Sequence, residues 1–221
     1  MAGHTHFDES TEEYLEAMYR LEREGPGVST SALASELGVA PAWVSGMLKK
    51  LANDGYIEHH SRGQAKLTQS GLEIGVRVIR RHRLAERLLT DVLGMPWDQV
   101  HAEACRLEHA ISANVEARLI EVLGQPETCP HGLPIPPADG SDPPRPDVPL
   151  AQIPAGDSAT VYGVTEEVPE ILRYLGDVGL RPGAKVNVVE KAPLGGPVTV
   201  LVNGVQHAIS LELARMVTVV V

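Results

Sequence analysis

Cysteine is almost absent from this chain: Cys105 and Cys129 are its two thiols. Two are too few for a secreted disulfide framework and fit a reducing compartment. Long apolar runs are missing as well. No stretch reaches the roughly 18 residues that a spanning helix needs. The start, Met1-Ala2-Gly3-His4-Thr5-His6, lacks the charged-then-apolar pattern of a signal peptide. A cytoplasmic protein without membrane contact is therefore expected, with His4 and His6 in a frayed terminus rather than a metal site. Internal repeats are lacking too, and so are low-complexity tracts outside one proline-rich segment. The formal charge is −10 with nine histidines counted neutral, which taken whole argues against a generic nucleic-acid binder. The charge is unevenly spread, however. Between Ala42 and Arg83 eight basic residues (Lys49, Lys50, Arg62, Lys66, Arg77, Arg80, Arg81 and Arg83) stand against three acidic ones, Asp54, Glu58 and Glu73.

What is present begins with helices. From Asp8 to Glu24 the residues Tyr14, Leu15, Met18, Tyr19 and Leu21 recur at helical spacing, and Ser10-Thr11-Glu12-Glu13 reads as a capping box. Gly25-Pro26-Gly27 ends that helix. Ser29 or Thr30 caps a short helix through Leu37, Gly38 supplies a left-handed turn, and Pro41 opens a third helix to about Asn53. Helix, tight turn, helix is the helix-turn-helix pattern, whose second member enters the DNA major groove. On it Ala42, Trp43, Ser45, Gly46, Lys49 and Lys50 are the candidate DNA contacts. Ser45 suits a base edge, Lys49 and Lys50 suit phosphates, and Trp43 either stacks on DNA or joins the core. The runs Tyr56–His60 and Ala65–Thr68 flank Ser61-Arg62-Gly63-Gln64, a small hairpin or wing with Arg62 and Lys66 placed for phosphates. Thr68 then caps a long helix to about Leu93. Its Arg77, Arg80, Arg81 and Arg83 suit either a solvated face or, beside a winged helix, phosphate contact.

That long helix and the next carry the chemistry. Its last part holds His82 and Glu86 four residues apart on one face. After Gly94-Met95-Pro96, a helix from Trp97 to Ala110 is expected to present His101, Cys105, Glu108 and His109 as one stripe. Imidazole, thiolate and carboxylate on neighbouring stripes make a transition-metal chelate. An antiparallel hairpin brings His82, Glu86 and His101 together, and leaves Cys105, Glu108 and His109 needing a partner, for which the first helix is the candidate. A further helix runs from Ser112 to Leu123. The apolar surface of Leu84, Leu88, Leu89, Val92, Leu93, Ile111, Val115, Leu119, Ile120 and Val122 suits a core shared between two subunits, as readers of palindromic sites require.

From Gln125 to Pro149 the chain turns proline-rich and loses periodicity, which reads as a partly extended linker. Cys129-Pro130-His131-Gly132 within it offers two metal-capable side chains, for which a structural role is the better reading. Beyond Ala151 the character is β. Ala159–Val164, Ala184–Lys191 and Val198–Ile209 are valine-rich, and Asn203-Gly204 marks a type I′ hairpin. Ile171–Leu175 suits a helical turn or two, and Met216–Val221 a last strand. The result is a small barrel, too short for an enzyme on its own.

These residues resemble the diphtheria toxin repressor family of metal-dependent transcriptional regulators. The likeness lies in Arg81-His82-Arg83-Leu84-Ala85-Glu86-Arg87-Leu88-Leu89-Thr90-Asp91, in Val100-His101-Ala102-Glu103-Ala104-Cys105-Arg106-Leu107-Glu108-His109, and in Cys129-Pro130-His131-Gly132-Leu133-Pro134-Ile135-Pro136. It covers essentially the whole chain. The resemblance implies a mainly α protein with a small β domain. A winged helix-turn-helix spans 1–73, a helical dimerisation and metal-binding domain 74–124, a linker 125–150, and an SH3-like (FeoA-like) domain 151–221. Carried over by position, it implies a primary metal site of Glu13, Cys105, Glu108 and His109 with Glu16 as a fifth ligand. It also implies an ancillary site of His82, Glu86 and His101, completed by Glu166 or Glu167. Glu13 stands where iron-type members have a thioether, and Cys105 where manganese-type members have a carboxylate. Hard oxygen favours Mn(II) and soft thiolate favours Fe(II), so the expected cofactor is Mn(II), with Fe(II) as the alternative.

The function so implied is a repressor that binds double-stranded operator DNA as a homodimer when metal-loaded and controls metal homeostasis genes. Two other classes compete. A dinuclear metalloenzyme needs an open coordination position and a general base, which the sequence does not offer. A metal-independent winged-helix regulator would use Cys105 as a thiol-redox switch.

Overall fold

The computed structural model describes residues 8–221 apart from 24, 26, 61–63, 142 and 144–147, with backbone alone at 59 and 60. The chain divides into two compact units. One comprises residues up to Arg81 with Glu108–Ala110 and Pro136–Asp142, the other His82–Leu107, Ile111–Ile135 and Pro143–Val221.

In the first unit, helix α1 (Glu9–Glu22) buries Tyr14, Leu15, Met18 and Tyr19. Its phase differs from a capping box. The helix starts at Glu9, and Asp8 at the cap position makes no side-chain cap bond. Strand β1 (Val28–Ser29), not anticipated from the sequence, leads into α2 (Thr30–Glu36), whose Ser29 cap accepts the Ala32 amide at 3.1 Å. Gly38 takes φ +64°, a conformation other residues rarely adopt, and turns the chain into α3 (Pro41–Asn53). Val44, Leu48 and Leu51 of α3 meet Leu15, Met18 and Leu33 in one core. Strands β2 (Ile57–His60) and β3 (Gln64–Leu67) pair antiparallel as the wing, and β1 adds to the outer side of β3. The Glu22 carboxylate accepts the Leu67 amide at 2.6 Å and so ties α1 to the wing.

Helix α4 (Gln69–Arg87) is capped by Thr68, whose Oγ1 accepts the Gly71 amide at 3.2 Å. Gly75 lets α4 lie against α1: a Cβ there would sit 2.7 Å from the Leu15 carbonyl oxygen. The residues of α4 from His82 onward count with the second unit, where the helix widens into a π turn at Leu88–Val92. Helix α5 (Val100–Leu107) begins three residues later than the periodicity predicts, and its continuation Glu108–Ala110 tightens to 3₁₀ geometry. Helix α6 (Ala113–Val122) is capped by Ser112. Leu84, Leu89, Val100, Ala104, Ile111 and Leu119 form the helical core of this unit.

The β part of the second unit is a six-stranded antiparallel sheet. Its strands are β4 (Val148–Pro149), β5 (Ser158–Val164), β6 (Lys185–Lys191), β7 (Val198–Val202), β8 (Val205–Ile209) and β9 (Val217–Val220), in the order β4-β9-β5-β6-β7-β8. Bulges at Val161/Gly163 and Val188/Glu190 bend it in the manner of an SH3-like barrel. Asn203 and Gly204, at φ +51° and +81°, make the expected hairpin turn. Helix α7 (Pro169–Val178) is longer than the turn or two read from the sequence, and α8 (Leu211–Met216) precedes the last strand. Valines alternate inward along β5, β6 and β7 to fill the core, which Trp97 joins.

The segment read as a linker is ordered in part. Thr128 bridges Pro134, and Cys129, His131, Gly132 and Leu133 are buried. The reason lies on α4. Arg83 donates to the Pro134 carbonyl, Arg87 donates to Thr128 O at 2.6 Å, and Arg80, in the first unit, donates to Pro136 O. Proline has no amide proton, so a proline-rich stretch cannot form a backbone ladder of its own and offers its carbonyls to guanidinium groups. The arginines of α4 are thus largely internal. Arg83 is buried, Arg81 pairs with Glu12 at 3.7 Å, and Arg77 is exposed.

Candidate metal centres and nucleic-acid interface

In the first unit a cluster of three carboxylates forms around His109. Glu12 and Glu16 are one helical turn apart on the buried face of α1, and Glu108 and His109 come from the 3₁₀ turn. Glu12 Oε2 lies 2.9 Å from His109 Nδ1, and Glu108 Oε1 lies 3.3 Å from His109 Nε2. A carboxylate oxygen of Glu16 and one of Glu108 are within 4.8 Å of each other. Arg20 balances Glu16 at 2.9 Å. The hydrogen bond to Glu12 raises the His109 pKa against the effect of burial, with Glu108 and Glu16 adding to it.

Two expected members, Glu13 and Cys105, make no hydrogen bond or ion pair with this group among the described residues. Glu13 is exposed, since one residue along a helix is a rotation of about 100° away from the Glu12–Glu16 face. Cys105 belongs to the second unit. At Glu108 the helix tightens from 3.6 to about 3 residues per turn, so spacing counted along a regular α-helix no longer holds there.

The second unit holds a denser centre. His82 Nε2 is 3.3 Å from Glu86 Oε1, His101 Nδ1 is 3.2 Å from His82 Nε2, and His101 Nδ1 is 3.0 Å from Glu167 Oε2. One donor atom from each of these four residues lies within 4.8 Å of the others. Glu166 is not among these four; its carboxylate accepts the Glu167 amide at 3.2 Å. His131, for which the sequence suggested a structural role, enters instead, with Nδ1 3.2 Å from Glu86 Oε1 and 3.6 Å from Glu167 Oε1. Its Nε2 donates to the Trp97 carbonyl at 2.8 Å, which leaves Nδ1 as the nitrogen that faces the carboxylates. Cys129, fully buried, groups with Glu86 and His131, and Cys105 Sγ lies 3.8 Å from His101 Nε2. The clue to His131 was the Cys-Pro-His-Gly pattern itself; its proximity to Glu86 has no sequence signal.

This centre fits a cation. Both oxygens of Glu86 and Nδ1 of His131 are buried without a hydrogen bond of good geometry, a costly state that a divalent ion would relieve. The electrostatics agree. Burial works to raise the Glu86 carboxyl, but the His82 and His131 imidazoles hold it below the usual carboxylate range despite Glu167. Burial pulls His101 down, yet Cys105 and Glu167 push it up to about 10. Burial raises the Cys105 thiol, while His101 and His82 bring it down to about 6.

On α3, Ala42, Trp43, Ser45, Gly46, Lys49 and Lys50 are all exposed, because Val44, Leu48 and Leu51 take the opposite face into the core. Trp43, at 77 % exposure, is no core residue. Ser45 Oγ donates to its own Pro41 carbonyl at 3.0 Å, and Lys50 meets Asp8 at 3.1 Å. Lys66 is exposed on the wing, and Arg62 lies outside the described residues.

Comparison with known proteins accords with this arrangement. Residues 6–65 match the model of the iron-dependent repressor N-terminal DNA-binding domain. Residues 68–137 match that of the iron-dependent repressor metal-binding and dimerisation domain, and 148–221 that of the FeoA domain. The chain is 38 % identical over 225 residues to the iron-dependent repressor IdeR of Mycobacterium tuberculosis, covering 96 % of each. It is 33 % identical over 221 residues to the diphtheria toxin repressor of Corynebacterium glutamicum, again covering 96 % of each. Among solved structures, a manganese-dependent transcriptional repressor in complex with manganese superposes with a TM-score of 0.89 at 34 % identity, covering 95 % of this chain and 99 % of that one. With a DNA-binding, a metal-binding and dimerisation, and a FeoA domain in the same order and over nearly full length, the chain belongs to the diphtheria toxin repressor family of metal-dependent transcriptional repressors.

Proposed function

We propose that this repressor binds operator DNA as a homodimer when loaded with Mn(II), with Fe(II) as the alternative ion, and thereby controls metal homeostasis genes. The observation that carries it is the carboxylate-rich group around His109, where the first helix of the DNA-reading unit meets Glu108 and His109 of the 3₁₀ turn. In the primary site Glu16, Glu108 and His109 hold the ion, with Glu13 and Cys105 as the donors that the family resemblance adds. In the ancillary site His82, Glu86, His101 and Glu167 hold it, with His131 and Cys129 as further donors. The carboxylate-rich primary set suits Mn(II) or Fe(II) among the divalent ions, and availability in the cell decides between them and later metals.

Without an ion, Glu12, Glu16 and Glu108 repel one another, and the joint between α1 and the 3₁₀ turn loosens. A divalent ion supplies the opposing charge there. Ordered α1 then holds α3 through the shared core and the wing through Glu22. In the dimer this sets two α3 helices about one DNA turn, roughly 34 Å, apart. Lys49, Lys50, Lys66 and Arg62 contact phosphates, and Ala42, Trp43, Ser45 and Gly46 face the bases, where small side chains leave part of the readout to DNA shape.

The test is an anaerobic pull-down of source genomic DNA by the purified protein with Mn(II), with Fe(II) and with chelator, repeated with Glu13→Ala, Cys105→Ala and Glu108→Ala. A few palindromic fragments recovered only with metal, and absent with Glu108→Ala, are expected. Equal recovery under chelator overturns metal activation and favours the thiol-redox regulator.

A further inference from the structure

The geometry points to Glu12 as a positioning residue: its carboxylate accepts a hydrogen bond from Nδ1–H of His109 and so leaves Nε2 as the atom that binds metal. The inference rests on His109 being a ligand, as proposed above, and adds a residue that neither the family pattern nor the sequence singled out.

Glu12 is 8 % exposed, and both its oxygens have partners. Oε2 is 2.9 Å from His109 Nδ1, and Oε1 is 3.7 Å from Arg81 Nη1. A neutral imidazole carries one proton, and the partner of one nitrogen decides which. An ionised carboxylate only accepts, so Glu12 keeps the proton on Nδ1. The Nε2 lone pair is then directed toward Glu108, whose oxygen is 3.3 Å away. Were Glu12 absent, the other tautomer would donate Nε2–H to Glu108 and turn its lone pair away from the oxygen donors. Arg81 offsets the charge of Glu12 and holds its second oxygen, so Glu12 orients the ligand rather than joining the coordination sphere. The two carboxylates on this face of α1 thus divide the work. Glu16 faces the ion with Glu108, and Glu12, one turn earlier, sets the imidazole.

The test uses the full-length protein with ¹⁵N-labelled histidine, loaded with ¹¹³Cd(II) as a diamagnetic probe. Long-range proton–nitrogen correlation reports the protonated nitrogen, and cadmium coupling reports the bound one. Mn(II) affinity is measured in parallel from the electron paramagnetic resonance of the free ion. Wild type is expected to show protonated Nδ1 and cadmium-coupled Nε2 at His109. Glu12→Gln, whose amide oxygen still accepts from Nδ1–H, should keep both signals and near-wild-type affinity. Glu12→Ala should lose the tautomer preference and weaken one Mn(II) site by about 10–100-fold. Coupling through Nδ1, equal damage in Glu12→Gln and Glu12→Ala, or no effect of Glu12→Ala would each overturn the positioning role. Absence of any coupling at His109, together with intact Mn(II) binding by His109→Ala, would instead overturn His109 as a ligand and the inference with it.

Discussion

His131 illustrates how one backbone contact selects the nitrogen that faces a carboxylate. The Trp97 carbonyl accepts its Nε2 proton, and Nδ1 is left facing Glu86 and Glu167 from a fully buried position. His131→Ala is expected to weaken metal binding at the ancillary centre at least about tenfold; unchanged affinity in a Mn(II) titration would contradict a donor role. His101 yields a pH dependence. Cys105 and Glu167 push its pKa up to about 10, so the ring is protonated at neutral pH in the metal-free protein. An ion must displace that proton, and affinity therefore rises as pH rises from about 6 to about 9. Calorimetry in buffers of different ionisation enthalpy should register proton release on loading. A release of zero would show that His101 does not bind the ion.

At the scale of elements, the loop from Thr128 to Pro136 positions His131 and is itself held by α4 and β5. Gly132 adopts φ +89°, and a Cβ there would sit 2.1 Å from the Tyr162 carbonyl oxygen. Gly132→Ala should destabilise the fold by at least about 1–3 kcal/mol in urea titrations and lower ancillary-site affinity, since His131 is the preceding residue. Loss of stability without loss of affinity would separate the loop from the metal centre. On α3, Lys49 projects from the exposed face without a core role. Lys49→Ala should weaken binding to all sequences alike and reduce the slope of operator affinity against salt concentration, on logarithmic axes, by about 0.9 for each phosphate left unneutralised. A change in sequence preference instead would make Lys49 a base reader.

For the whole molecule, the apolar surface read as a shared core divides in two. Leu84, Leu89, Ile111 and Leu119 are buried within the chain, whereas Val92, Leu93, Val115 and Val122 are 53 %, 62 %, 47 % and 68 % exposed. Four such side chains on consecutive helices are what a partner subunit would cover. Leu93→Glu combined with Val122→Glu should shift sedimentation from dimer to monomer and abolish operator binding while leaving far-UV circular dichroism intact. A dimer that persists would place the interface elsewhere. Metal also links to stability. At an ion concentration about 100 times the Kd, one site adds about 2.7 kcal/mol, so a chelator should lower Tm measurably. Among the described residues no helix is long and apolar enough to cross a membrane, and the family consists of transcriptional repressors rather than enzymes.

The sequence by itself determined whatever depends on neighbours along the chain. The serine caps at 29 and 112, Pro41 at the start of α3, the Asn203-Gly204 turn and the pairing of His82 with Glu86 all follow from local sterics and helical spacing. The exposed face of α3 follows in the same way, because Val44, Leu48 and Leu51 leave it no other orientation. Tertiary structure decided what depends on groups far apart. Glu12 rather than Glu13 meets His109 because Tyr14, Leu15, Met18 and Tyr19 turn the Glu12–Glu16 side of α1 inward, and which group waits there is settled only by the fold. The tightening of α5 to a 3₁₀ turn at Glu108 has no marker residue in the sequence. The proline-rich segment looked like a linker because its order comes from arginines of α4, distant in sequence, that satisfy carbonyls the segment cannot pair within itself. His131 and Glu167 reach Glu86 only through that docking and through the placement of the segment before α7, so their convergence on one carboxylate is a property of the folded chain alone.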